Sequence, residues 1–248
     1  MEQDALILVR GGGDLATGTI HRLWSAGFRV LVLEAEHPAA IRRQVALCEA
    51  VYEGETTVEG LRAVRVDSLE QSEAVWTEDA VPVLVDPFSE SIRIAKPEVV
   101  VDAILAKKNL GTTREMAPLT IALGPGFTAG EDVDVVIETK RGHRLGRVIR
   151  EGTAIPNTGI PGVIAGFGKE RVIHSPAAGI MHNLSQIGDI VEKDCTDPDT
   201  ERDERSCHNA DHRDPAWTSA QRISGNTRFQ GRGRRPAQRG TCQLFFDF

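Results

Sequence analysis

Along the first 138 residues, short continuous apolar runs alternate with amphipathic stretches. Residues 5–9 (ALILV), 29–33, 81–85, 99–104 and 119–123 are apolar over nearly their whole length, the pattern of strands covered on both faces rather than one. They predict a parallel sheet. Between the first two runs, residues 14–26 place Leu15, Ile20, Leu23 and Trp24 at helical spacing and stop at Gly27, a residue suited to the left-handed turn that ends a helix. Residues 38–50 and 68–76 are further helix candidates. This alternation predicts an α/β, doubly wound, Rossmann-like domain with a mostly parallel sheet over 1–139.

Beyond residue 139 the texture changes. Gly and Pro recur every few residues and the β-type runs are short, as at 147–149 and 171–173, so 140–194 reads as a small loop-rich β module. The stretches SPAAGIMHNL (175–184) and IGDIVEK (187–193) resemble the first half of a biotinyl/lipoyl-like module, in which a Pro-x-x-Gly strand leads to a Gly-Asp-x-Val turn. The half that would bear a carrier lysine falls beyond 194, so no carrier function is assigned.

A second seam lies near residue 194. Val occurs 22 times before it and never after it, Ile plus Leu fall to Ile223 and Leu244, and nine arginines and three of the four cysteines follow with no lysine. Such a segment buries too little apolar side chain to offset its ordering entropy. Three readings of 195–248 stand: a disordered extension, a metal site, and a change of reading frame near Cys195. The metal reading uses Cys195, Cys207, His208 and His212, which lack the close Cys pair of a zinc knuckle. The frame reading, which we favour, accounts for the joint loss of Val and Lys and gain of Arg and Cys.

Composition narrows the function classes. Of 248 residues, 40% are hydrophobic and 26% charged, as in ordinary globular proteins. A net charge of −7 with 5% aromatics supplies neither the positive field nor the stacking platforms of a nucleic-acid binder. No apolar run is long enough to span a membrane, and the acidic start Met1-Glu2-Gln3-Asp4 is unlike a secretory signal. The expectation is a cytoplasmic protein with reduced cysteines.

The strongest motif for chemistry follows the first strand. In Val9-Arg-Gly11-Gly12-Gly13-Asp14-Leu15-Ala16-Thr17, Gly11, Gly13 and Ala16 fit G-x-G-x-x-A at a strand-to-helix turn, where glycine lets a pyrophosphate approach the backbone and the helix N-terminus offers N–H groups and a favourable dipole. Glu34 ends the second strand, where an acid can bind ribose hydroxyls. The alternative is a tight turn whose glycines only pack helix on sheet, and Asp14, placed beside any phosphate, keeps it open. A second glycine loop, Gly124-Pro-Gly126-Phe-Thr128-Ala129, also follows a strand but has no long helix behind it. Asp86 and Asp102 end strands at the same edge, with Lys107, Lys108 and Asn109 close behind as donors for an anion or as a solvated surface loop. The run Arg141-Gly-His143-Arg144, with Arg147 and Arg150, reads as a solvated strand face. Cys48 lies in an apolar pattern that suits a buried small residue better than a nucleophile. No catalytic residue and no metal ligand is assigned in the main domain.

Several segments together resemble one family. RGGGDLATG (10–18), AAIRR (39–43), EAVYEG (49–54), VVDAILAKKNLG (100–111), LGPGFTAG (123–130) and AIPNTGIPG (154–162) are similar to the YqeB-type accessory proteins of the selenium-dependent molybdenum hydroxylase system. The resemblance implies a maturation role: binding a nucleotide-like or molybdopterin cofactor and delivering it to an apo molybdenum hydroxylase, alongside other maturation proteins. It supplies a pathway and no catalytic residues, and it makes the protein more a cofactor handler than a catalyst. The competing classes are an NAD(P)-dependent oxidoreductase using Gly11, Gly13, Ala16 and Glu34, and a scaffold with no ligand.

Overall fold

The structure is a computed structural model. It describes residues 5–159 without a break, together with Val172–His174, Ile180–Asn183, Ile187, Thr227–Gln230 and Gln243–Phe245. The chain divides into two compact units, Met1–Thr158 and Gly159–Phe248.

In the first unit the elements run β1 (Leu6–Arg10), α1 (Asp14–Ser25), β2 (Arg29–Glu34), α2 (Ala50–Glu53), β3 (Glu55–Val58), β4 (Leu61–Val66), α3 (Ser72–Thr77), β5 (Val81–Val85), α4 (Ile92–Ala95), β6 (Val99–Asp102), β7 (Leu119–Leu123), β8 (Thr128–Ala129), β9 (Val135–Ile137), β10 (Val148–Ile149) and β11 (Gly152–Thr153). Nine of the strands form one sheet in the order β10-β9-β7-β6-β1-β2-β5-β4-β3. The strands from β9 to β4 are all parallel, and only β10 and β3 at the edges are antiparallel. This is the Rossmann-like, mostly parallel α/β sheet that the continuous apolar runs predict. With the β3–β4 hairpin set aside, the order β5-β2-β1-β6-β7-β9 follows the 3-2-1-4-5-6 pattern of dinucleotide-binding sheets.

Both faces of the sheet are covered, which explains why its strands do not alternate. In β1, Ile7 and Val9 pack with Ala16 and Ile20 of α1, whereas Leu8 packs on the other face with Val75 of α3 and Ile92 of α4. Beyond β6 the cover changes. The connection from β6 to β7 holds a single 3-10 turn, Arg114–Met116, and the one from β7 to β9 holds β8. A separate small cluster of Ala122, Phe127, Ala129, Val133, Val136 and Ala154 packs that half.

Three expectations need correction. Residues 38–50 are not one helix but two 3-10 turns, Arg43–Val45 and Leu47–Glu49, leading into α2. The reason lies in competing acceptors: the Leu47 N–H donates to Thr17 Oγ1 at 3.0 Å and the Cys48 N–H to the Gly12 carbonyl at 2.9 Å, so neither is available to an intrahelical carbonyl. Residues 68–76 begin as a 3-10 turn, Leu69–Gln71, before α3. The basic run at 141–147 is a loop between β9 and β10 rather than a strand face.

In the second unit, β12 (Val172–His174) pairs antiparallel with β15 (Gln243–Phe245), and β13 (Ile180–Asn183) with β14 (Thr227–Gln230). Two of these strands come from the stretch beyond 194. The Cys195, Cys207, His208 and His212 set and most of the biotinyl-like signature lie outside the described residues.

Candidate functional site

From β1 the chain works outward to β5 on one side, then returns to β6 on the other side of β1 and continues to β9. The carboxyl ends of β1 and β6 therefore mark the point where the sheet reverses, the position at which open α/β sheets bind ligands. The glycine turn, the 105–112 loop and the second glycine loop all follow strands that end on this edge.

The three glycines of the turn serve different ends. Gly11 has φ +94°, and a Cβ there would meet the backbone of Ala103 and Ile104 at 3.0–3.1 Å, so this glycine lets the loop after β6 pack directly on the turn after β1. Gly12 is enclosed: a Cβ would lie 3.0 Å from the Cys48 nitrogen, its N–H donates to Glu34 Oε2 at 2.7 Å, and its carbonyl accepts from Cys48. Only Gly13 faces open space, with nothing within 4 Å of the place a Cβ would take. It is the N-cap of α1 and has no side chain to cap that end; the Leu15 N–H is taken by Asp14 Oδ1 at 2.9 Å, so an anion at this end of the 12-residue helix would meet the other first-turn N–H groups. Asp14 stands in this first turn but is ion-paired with Arg42. Ala16 is fully buried against the sheet, and Thr17 is a buried brace whose hydroxyl donates to Gly13 O at 2.9 Å and accepts from Leu47.

Glu34 closes the turn from the end of β2. Its two carboxylate oxygens accept the N–H groups of Gly12 and Ala35, both at 2.7 Å, yet burial outweighs these bonds and holds its pKa above the ordinary glutamate value. Burial, then the charges of Glu34, Glu49 and Asp14, pushes the neighbouring Cys48 thiol up to about 12. A thiol so protonated at neutral pH is no nucleophile, in keeping with the buried position that its apolar sequence surroundings predict.

Under the reversal point lies a buried polar network of which the sequence shows only one member clearly. Arg10 and Asp102, register partners on β1 and β6, are 3% and 1% exposed. Arg10 Nη1 lies 3.3 Å from Asp102 Oδ2 and also donates to Thr112 Oγ1, which in turn donates to Asp102 Oδ2 at 2.5 Å. Arg10 Nη2 reaches the Leu110 carbonyl at 3.3 Å. Asp102 is visible as an acid ending a strand. Arg10 and Thr112 carry only a weak signal, a charge inside an apolar strand and a threonine after a glycine.

The network holds the 105–112 loop on the edge. Asn109 spends its side chain within that loop, accepting from Gly111 and Thr112 and donating to the Thr112 carbonyl, all at 2.8 Å; it is a brace, with its amide already committed. Lys107 and Lys108 are exposed, and among the described residues neither forms an ion pair. The second glycine loop packs on the same segment: at Gly126, φ +112°, a Cβ would fall 2.6–2.7 Å from the Lys107–Lys108 backbone, and at Gly124 it would meet Thr139 and Leu105. Thus Gly11, Lys107, Lys108, Gly124 and Gly126 are brought to one edge through direct loop contacts. Thr128 is drawn away, its N–H bound to Asp132 at 2.7 Å and its backbone paired with Thr153.

Asp86 also has a structural task. Burial opposes its ionisation, but hydrogen bonds from Ser91, Glu90 and Ser89 hold its pKa below the aspartate range as it caps the turn before α4. An open pocket of about 370 Å³ starts beside Asp14 and runs along α1 past Gly18 to His21 and Arg22, with Arg42, Val45 and Val58 opposite. It adjoins the glycine turn but lies on the outer side of α1. Among the described residues no cluster of three His, Cys, Asp or Glu side chains is placed to hold a metal ion, and no helix is long and apolar enough to cross a membrane.

The chain is 52% identical over 188 residues to "Uncharacterized protein YqeB" of Escherichia coli (strain K12), a match that takes in 76% of this chain. Over that stretch the chain is similar to a YqeB-type protein. It spans only 35% of that relative's length, about a third, so the YqeB-type region described here is one part of what the longer protein contains. No family model and no solved structure matches the chain.

Proposed function

We propose that this protein is an accessory factor in the maturation of selenium-dependent molybdenum hydroxylases, which binds a nucleotide-like or molybdopterin-type cofactor and delivers it to the apo-enzyme. The observation that carries the reading is the meeting of a glycine turn open at Gly13, at the helix N-terminus, with a loop bearing two unpaired lysines at the sheet's reversal point. Phosphate oxygens fit such a place: the backbone N–H groups and helix dipole favour negative charge, Lys107 and Lys108 add cations, and Asp14 is neutralised by Arg42. Gly13 would face the phosphates directly, while Gly11 and Gly12 shape the turn. The bound cofactor would bring its own metal and redox chemistry; the chain's part is to grip, orient and release it in the cytoplasm.

A second reading, an NAD-dependent oxidoreductase, is favoured by one feature, the Glu34 carboxylate at the end of β2. It can accept ribose hydroxyls through its remaining lone pairs and would repel the 2′-phosphate of NADP. A pure scaffold would bind neither ligand.

Native mass spectrometry of protein from its own host, followed by titration with molybdopterin species and NAD, tests these readings. A molybdopterin species retained by the protein and lost on Gly13→Asp supports delivery. NAD in its place transfers the assignment to the oxidoreductase, and no ligand in either assay leaves the scaffold.

A further inference from the structure

The basic run at 140–147 reads in the sequence as a solvated face, but the fold gives it a defined place. It follows β9 at the carboxyl edge of the sheet, and Gly124 lies between it and the lysine loop: its N–H donates to the Ile137 carbonyl at 2.8 Å, and a Cβ there would meet both Thr139 and Leu105. Lys140, Arg141, Arg144 and Arg147 thereby join Lys107 and Lys108 on one rim. Every residue from Lys140 to Val148 is exposed, and among the described residues none of these six cations closes an ion pair. Elsewhere on the same unit Arg29, Arg42, Arg62 and Arg114 each reach a carboxylate. A protein of net charge −7 has acids to spare for this rim, yet among the described residues only the buried Glu138 reaches it, through its charge interaction with Lys140.

The loop is also built to hold its shape. Glu138 donates its N–H to Arg147 O at 3.0 Å and accepts at its carbonyl from Gly146 at 2.8 Å. Its buried carboxylate takes the N–H groups of Lys140 and Ile155 at 2.8 and 2.9 Å. Between the cations stand two exposed apolar side chains, Leu145 at 59% and Val148 at 52% exposure. Arginines around exposed aliphatic anchors, with His143 the one aromatic ring of the loop and no Phe, Tyr or Trp in it to stack on a base, match the make-up of a protein-binding surface better than a nucleic-acid groove.

We infer that the rim formed by Lys107, Lys108 and the Lys140–Val148 loop docks an acidic protein surface, with Leu145 and Val148 as its apolar anchors. Charge complementarity selects the partner: an acidic patch with aliphatic residues exposed in it. A loop already folded loses little conformational entropy on docking, and unpaired cations speed encounter with an acidic face. The rim shares Lys107 and Lys108 with the proposed phosphate site, but the Lys140–Val148 loop is no part of that site, so substitutions confined to this loop can abolish docking while the glycine turn is left unaltered.

The test uses the full chain and three labelled probes of equal charge: a polyglutamate peptide, a Glu-Leu copolymer peptide and a single-stranded RNA. The copolymer is expected to bind most tightly and to weaken with salt. The triple variant Arg141→Glu/Arg144→Glu/Arg147→Glu should lose on the order of tenfold or more in affinity for both peptides, and Leu145→Ser should remove the copolymer's advantage over polyglutamate. Circular dichroism and an unchanged urea transition for each variant confirm its fold. RNA binding tighter than either peptide, peptide binding unchanged by the triple variant, or failure of the unmodified protein to bind either peptide would each overturn the assignment.

Discussion

The two halves of the sheet meet at β1 and β6 and are built on different principles. On the β2-β5-β4 side, helices α1 and α3 lay apolar stripes on two large clusters, so the half is held by burial, and Arg29, Arg42, Arg62 and Arg65 there each lie against an acid. On the β6-β7-β9 side helices are replaced by loops, and carboxylates take over the fastening. Asp102 holds Arg10 and Thr112, Asp134 accepts from the Thr120 N–H and hydroxyl at 2.9 Å, and Glu138 ties down Lys140 and Ile155. The first half is thus a scaffold of ordinary Rossmann character, and the second presents loops and cations. A sheet can keep its strand order while one flank is given over to surface.

The largest effect should come from breaking the joint between the halves. Asp102→Ala leaves Arg10 buried without a counter-charge, which costs about 3–5 kcal/mol and should show as an early urea transition. Ile20→Ala, which opens a cavity under α1 in the helical half, should cost about 2–5 kcal/mol and shift the same transition while leaving exchange of the 139–155 amides, relative to the global event, unchanged.

Acid should separate the halves more finely. Burial opposes ionisation of Asp134 and Glu138, yet their hydrogen bonds hold both below the usual carboxylate range. Their stabilisation is therefore present above that range and lost as the pH falls through the depressed values. Glu34 is raised, so its contribution has the opposite sign: present at low pH and lost as the pH rises through its elevated value. Hydrogen exchange followed downward in pH should show the 120–155 loops opening before β2. Equal loosening of both halves would remove the distinction. At the small end, Cys48, with its thiol near 12, should react with a soluble thiol reagent at pH 8 many times more slowly than a free cysteine, and urea should restore the ordinary rate.

Much of the helical half is legible in the sequence because its signals are local. Runs such as VLVL and VPVLV need no partner to announce a doubly covered strand, and Gly27 stops α1 where its period ends. The β3–β4 hairpin escapes notice although its signal is present: Glu59 and Gly60, with φ +49° and +84°, form the two-residue turn between Val58 and Leu61, the geometry that favours tight hairpins. Spacing alone locates the glycine turn, but the division of labour among its glycines depends on Cys48 and Ile104, which approach from far along the chain. Arg10 is invisible as a buried ion because its partner is 92 residues away. The rim arginines resemble a strand face because nothing within the run itself reveals that β9 ends just before them.

The sheet's edges have a consequence for coexistence with other chains. Seven parallel, strongly apolar strands would be a hazard if the ladder ended on one of them, since open parallel edges recruit further strands. Here each flank is finished by a short antiparallel strand instead. β3 has four residues with Glu55 and Thr57 turned to solvent, and β10 has two residues set between Arg147 and Arg150. These blunt, polar ends let the protein keep so aliphatic a sheet at high concentration without templating its own aggregation.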